Sequence, residues 1–77
     1  MFTIKLIEKN NDYLIYDIWD GDQNEYVNQI KVNKHDFSYN LKNGKEFTNQ
    51  YETGSYRAIK EAIQSNSAPQ QFSNGWG

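Results

Sequence analysis

The chain has no cysteine among its 77 residues, which excludes a disulfide framework, a thiolate zinc site and cysteine-based catalysis. Histidine occurs once, as His35, so a serine–histidine–aspartate arrangement would rest on that ring alone. Its neighbour Asp36 would point to the opposite face of a strand and is badly placed to orient it. His35 is therefore read as a surface or strand-edge residue. No stretch approaches the ~20 apolar residues of a membrane-crossing helix. Met1-Phe2-Thr3-Ile4 begins at once in strand-like alternation with no basic segment, so no secretory signal is read there and the expected location is the cytoplasm. Gly21, Gly44, Gly54, Gly75 and Gly77 match neither nucleotide-phosphate loop pattern. Nor is there a basic surplus. A net charge of −2 and a sequence pI of about 5.2 weigh against strong non-specific binding of phosphate backbones.

What the chain does have is rings. Six Tyr, four Phe and two Trp stand against an apolar fraction of only 36%. A chain this short makes one domain and buries only about 60% of its unfolded surface. Each buried ring removes roughly 150–250 Å² from water, so aromatics supply much of the core. Ten Asn with frequent Lys and Ile suggest AT-rich coding, as in low-GC bacteria and their phages.

Alternation marks the strands. Thr3 to Ile7 places Phe2, Ile4 and Leu6 on one side, and Asn10-Asn11-Asp12 is a turn cluster. Tyr13 to Trp19 is apolar on both faces, Leu14, Tyr16 and Ile18 alternating with Tyr13, Ile15 and Trp19, which marks a central strand. After a turn at Asp20 to Asn24, Tyr26 to Val32 reads as a third strand with Tyr26, Ile30 and Val32 on one side, and Phe37 to Leu41 as a fourth. Asn43-Gly44 is a hairpin signal. A three-residue loop with Gly44 left-handed sets Tyr39 against Phe47 and keeps the faces consistent. Thr53-Gly54-Ser55 offers caps for a helix over 56–64, with Tyr56, Ile59, Ala62 and Ile63 on one face. The expected fold is α+β: a small antiparallel sheet of four to five strands followed by one helix packed on one face. Residues 1–64 form the domain and 65–77 a polar C-terminal tail, uncharged yet holding Phe72 and Trp76.

If the helix covers Leu6, Leu14, Ile18, Ile30, Tyr39 and Phe47, then Ile7, Tyr13, Ile15, Trp19 and Val27 occupy the other face. An apolar patch of that kind marks a contact surface. Three occupants are open: the Phe72/Trp76 tail, a second copy of the chain, or a foreign partner. Charge is also segregated. From Asn10 to Ile30 there are five acids and no Lys or Arg; from Lys31 to Lys45 four lysines stand against Asp36.

Among candidate sites, Asp20, Asp22 and Glu25 crowd one solvated turn, which leaves their environments too alike for an acid–base pair. The same stretch begins like a calcium loop but has Glu25 where the turn requires Gly and Lys31 where a bidentate Glu belongs. No cofactor, metal or catalytic group is assigned, and the chain is read as not an enzyme. Lys31, Lys34, Lys42 and Lys45 with Tyr39 and Phe47 form an alternative nucleic-acid-binding set, rings stacking bases while lysines follow phosphates. The order of four strands and a helix is similar to that of the dimeric single-strand-binding transcriptional coactivators. Asn43-Gly44, Tyr56, Ile59, Ala62, Phe72 and Asn74 resemble the end of KTSC-type domains, with a longer spacing after Ala62; that likeness implies no site residues.

The leading expectation is a small non-enzymatic protein-binding module, in the form of a phage- or mobile-element-encoded inhibitor of a host protein such as a nucleic-acid-handling defence complex. Asp17, Trp19, Asp20, Asp22 and Glu25 are its partner-binding residues, with Trp19 the desolvated anchor and the acids steering encounter with a basic groove. The alternative is a single-stranded nucleic-acid-binding domain, and the third reading a self-assembling structural subunit, including a homodimer.

Overall fold

The computed structural model describes residues 1–74 of the chain. Strands β1 (Phe2–Lys9), β2 (Tyr13–Asp20), β3 (Glu25–Asn33) and β4 (Tyr39–Leu41) precede helix α1 (Gln50–Gln64), and β5 (Gln71–Asn74) follows it. One antiparallel sheet has the order β4-β3-β2-β1-β5, with α1 crossing one face between the two edge strands. The strand that is apolar on both sides, β2, occupies the middle position. The expected α+β architecture is the one observed.

Register sorts the faces. Ile4 lies opposite Ile18, Leu6 opposite Tyr16, Ile30 opposite Tyr16 and Val32 opposite Leu14. These residues point towards α1, and all but Leu6, which packs against them partly buried, form the buried core with Phe2 and Ile59. Tyr16 is wholly buried, and its hydroxyl donates to the Pro69 carbonyl at 2.7 Å. That bond ties the segment after α1 to the centre of the sheet. Burial raises the Tyr16 phenol above its ordinary value.

Two bulges interrupt the rows, one between Leu6 and Glu8 and one facing Ile18/Trp19. At the first, Ile7 is the extra residue and is 54% exposed. At the second, Val27 is the extra residue and packs against the core cluster, not on the opposite face where strict alternation put it. A bulge adds one residue and so resets the period-two count.

The expected hairpin at Asn43-Gly44 does not form. Gly44 does take a positive φ of 91°, but no strand follows it before α1. Phe47 nevertheless reaches Tyr39: their rings stack at 4.2 Å between centroids, and Tyr56 joins at 5.3 Å from Phe47. Ring stacking replaces strand pairing, because the loop is held by other bonds. Phe37 also falls outside β4, with φ at 61°, a conformation uncommon for a bulky side chain. The Tyr56 hydroxyl donates to its carbonyl at 2.7 Å.

The helix begins earlier than Thr53-Gly54-Ser55 suggested. Asn49 is the cap, its side chain accepting from the Glu52 amide at 2.9 Å. Glu52 closes the reciprocal half by accepting from the Thr48 amide at 2.8 Å, one residue ahead of the usual capping-box partner. Its other oxygen accepts from Asn28 Nδ2 at 2.8 Å. Asn28 is only 2% exposed and Glu52 4%, so both need full partnering. Asn28 has it: Nδ2 also donates to the Asn43 carbonyl, while Oδ1 accepts from the Asn43 and Gln29 amides. All four hydrogen-bonding positions of that amide are used. Strand β3, the 42–49 loop and the start of α1 are thereby fastened at one point.

The segment after α1, read as polar tail, contributes β5. Ile4 lies opposite Phe72 and Thr3 opposite Ser73, so the sheet gains an edge strand. Trp76 lies outside the described residues.

Two substitutions test this account of the helix. Glu52→Gln puts an N–H against either Asn28 Nδ2 or the Thr48 donors, and Asn28 cannot flip without losing two amide bonds. A loss of about 1–3 kcal/mol is expected, read as a lower urea midpoint with unchanged slope. Ser55 is fully buried with no partner for its hydroxyl, so Ser55→Ala removes a desolvated group and raises the same midpoint, by about 0.5–1 kcal/mol.

Candidate functional site

The sheet face turned away from α1 is crossed by no other element among the described residues. It is built from the alternate rows: Thr3 and Lys5 on β1, Tyr13, Ile15, Asp17 and Trp19 on β2, Tyr26, Gln29 and Lys31 on β3. Pairing sets Thr3 against Trp19 and Lys5 against Asp17, then Trp19 against Tyr26, Asp17 against Gln29 and Ile15 against Lys31.

This face is not bare hydrocarbon. The Lys5 ammonium lies 4.6 Å from the Trp19 ring centroid, and that of Lys31 lies 4.2 Å from Tyr13. Long lysine stems bury themselves along the rings and keep their charged ends in water. Trp19 and Ile15 are half-buried as a result, whereas Tyr26 remains 41% exposed and meets Trp19 edge-on at 5.7 Å. The indole Nε1 of Trp19 is shielded from water and has no hydrogen-bond partner. Asp17 accepts from Gln29 Nε2 at 2.8 Å. A hollow of about 190 Å³ opens beside this row, lined by Ile15, Gln29, Lys31, Asn40, Leu41 and Lys42.

Phe72 does not cover this face. Opposite Ile4, with its ring 6.3 Å from that of Phe2, it lies on the helix side. The cover is a pair of lysine side chains, which sequence patterning did not identify; the diagonal spacing of Lys5 and Lys31 from a ring across the strand was the available signal.

The five residues expected to bind a partner are divided by the fold. Asp17 and Trp19 share the uncovered face. Asp20 does not join them: it lies opposite Phe2, and one of its oxygens accepts from the Tyr51 hydroxyl of α1 at 2.9 Å. The other receives the Asp22 and Gln23 amides, which shapes the turn. Asp22 pairs with the Met1 ammonium at 3.2 Å, and Glu25 is exposed at the foot of β3. Because Asp20 and Asp22 face different partners, the oxygens of this turn do not converge on a common centre.

The alternative nucleic-acid set is divided too. Tyr39 and Phe47 stack on each other and pack with Tyr56 against the core, on the side away from Trp19. Lys31 joins the uncovered face and Lys42 borders its hollow. Lys34 donates to the Asn10 carbonyl at 3.0 Å, and Lys45 is exposed in the loop. His35 Nε2 lies 3.3 Å from Asp12 Oδ1, both groups well exposed. At that end, Lys9 and Lys34 line a second hollow with Ile63 and Asn66.

No protein family, curated protein or solved structure matches the chain. No helix among the described residues is long and apolar enough to cross a membrane.

The titration of Asp20 reports its position. Partial desolvation would raise this carboxyl, but the Tyr51 hydroxyl and the Gln23 and Asp22 amides outweigh it and hold it below its ordinary value; the Tyr51 phenol is raised in turn by its bond to Asp20. A depressed carboxyl adds stability above its unfolded value, and that stability is lost as pH falls through the folded one. Tyr51→Phe should move the Asp20 midpoint upward, followed by carboxyl carbon NMR, and make acid destabilisation in that window shallower. An unmoved midpoint would show that the turn amides alone set it.

Proposed function

We propose that the chain is a small non-catalytic protein-binding module that docks through the uncovered face of its sheet. Trp19 is the anchor, Tyr26 and Ile15 the apolar ground around it, and Asp17 and Glu25 the acidic margin. The observation that carries this reading is the state of Trp19: a large ring on a side that no element crosses among the described residues, with Lys5 over it, Tyr26 at its edge, and an indole N–H that is dry and unbonded. Such a ring is the kind of group that dominates binding energy when a partner completes its burial. A partner acceptor would also satisfy the N–H, whose isolation costs free energy in the unbound chain.

The partner favoured by charge is a protein with a cationic surface. No Lys or Arg occurs from Asn10 to Ile30, and Asp17, Asp22 and Glu25 give the β2–β3 end of the face its acidic margin, against Lys5 and Lys31 over its rings. Complementary charge speeds encounter, while the ring supplies affinity. An inhibitor of a host protein that normally handles nucleic acid, encoded by a phage or mobile element, is the setting this reading favours, in keeping with the small size and AT-rich composition.

A second reading is favoured by the lysine–ring pairs themselves. Cations flanking rings on a flat sheet suit single-stranded nucleic acid, and the residues would be Lys5, Trp19, Tyr13, Lys31 and Lys42, not the Tyr39/Phe47 pair.

One variant addresses both. Trp19→Ala leaves the core on the other face intact and should abolish capture of a basic protein that the unaltered chain retains; capture indifferent to this change overturns the assignment. On immobilised single-stranded DNA or RNA, little retention is expected even at low salt. Retention that falls steeply with salt and is lost in Lys5→Ala and Lys31→Ala would favour nucleic acid instead. A doubled mass in light scattering that reverts to monomer in Trp19→Ala would identify a second copy as the occupant.

A further inference from the structure

The loop between β4 and α1 carries chemistry that no docking function uses. Asn43 is followed by Gly44 and both are exposed. The Asn43 side chain takes part in no hydrogen bond among the described residues, and neither does the Gly44 amide. Gly44 has open space where a Cβ would stand. These are the conditions under which a backbone amide nitrogen attacks the preceding asparagine side chain: a free carboxamide, a free N–H, and no side chain to hinder ring closure.

We propose that Asn43 is a site of spontaneous deamidation, and that its isoaspartyl product unlocks the buried Asn28–Glu52 fastening. In the first step the Gly44 nitrogen bonds to Cγ of Asn43, its proton leaves, and the side-chain nitrogen departs as ammonia, giving a succinimide. Water then opens either carbonyl of that ring, yielding aspartate or isoaspartate. Water is the only co-reactant and no electron transfer is involved.

The two products differ in what they do to the fold. Aspartate keeps the backbone and places a charge in solvent. Isoaspartate routes the main chain through the former side chain, adding a methylene between the Asn43 amide and the carbonyl that follows. The Asn43 carbonyl that accepts from Asn28 Nδ2 at 2.8 Å is not on that longer route: it becomes the free α-carboxylate of the isoaspartyl residue, joined to the same Cα whose amide donates to Asn28 Oδ1 at 3.1 Å. Asn28 Nδ2 then faces two carboxylates, this one and that of Glu52, while the lengthened chain displaces Gly44, and like charges crowded on one buried donor destabilise the site. The same amide holds Glu52, so the start of α1 loosens with the loop. Asn43 thus serves as a clock that weakens the domain with age in neutral or alkaline solution.

The full chain is aged at pH 8 and 37 °C, and the sites of conversion are mapped by mass spectrometry with fragmentation that separates the two isomers. Asn43 should convert ahead of the other asparagines from Asn10 to Asn66, none of which precedes a glycine. The purified isoaspartyl-43 form should melt lower by about 4–8 °C, the shift that loss of one such interaction gives in a domain this size. Asn43→Asp, which adds charge without lengthening the backbone, should melt close to the unaltered chain, and Asn43→Gln should resist ageing. Conversion of other asparagines from Asn10 to Asn66 while Asn43 persists would overturn the site. An isoaspartyl-43 form that melts with the unaltered chain, or an Asn43→Asp variant that melts as low as the isoaspartyl form, would overturn the unlocking.

Discussion

The arrangement depends on a single buried polar contact, the amide of Asn28 against the carboxylate of Glu52. A buried carboxylate is costly unless its oxygens are occupied, and here Asn28 and Thr48 occupy them. The consequence is geometric. With the first turn of α1 held to β3, the apolar stripe of Ile59 and Ala62 comes down on Ile4 and Tyr16, and the loop through Asn43 is drawn across the end of the sheet. Apolar burial supplies most of the stabilisation in a domain of this size. It is non-directional, however, and does not choose where along the sheet a helix begins. The hydrogen-bonded pair makes that choice.

Committing the one helix among the described residues to one side leaves the second side of β2 to be managed by side chains. Lys5 and Lys31 do so by lying over Trp19 and Tyr13. Each such contact contributes about 0.5–1 kcal/mol at an exposed site, less than a partner gains by burying a tryptophan completely. The cover is therefore displaceable. That asymmetry between a weak intramolecular roof and a strong intermolecular one is what the proposed docking requires. The same lysines make nucleic acid the natural competitor reading, since a displaced ammonium is free to meet a phosphate.

Much of this was legible from residue order. The doubly apolar run Tyr13–Trp19 announced a central strand, and Ile59 with Ala62 announced the buried side of the helix. Trp19 was placed on the correct face by alternation alone. Val27 was not, because one inserted residue inverts parity and nothing local declares a bulge. The partner of Asp20 was hidden for a related reason: its neighbours describe a solvated turn, while Tyr51 lies 31 positions along the chain. Tyr39 and Phe47 were matched correctly as neighbours, yet their contact is made between a short strand and a loop, so a strand-pairing argument reached the right pair by the wrong route.

The amino-acid order by itself determined which segments extend, which one coils, and which side chains are too apolar to remain in water, because these follow from periodicity and local backbone preference. Tertiary structure decided the partners. That Glu52 is buried and not solvated, that Asn49 and not Thr53 or Ser55 caps the helix, and that Gln71–Asn74 joins the sheet beside β1 all depend on groups far apart in the chain. A hydrogen bond satisfies a buried group only at short range and in the right direction, and that condition is met or missed only once the whole chain has closed.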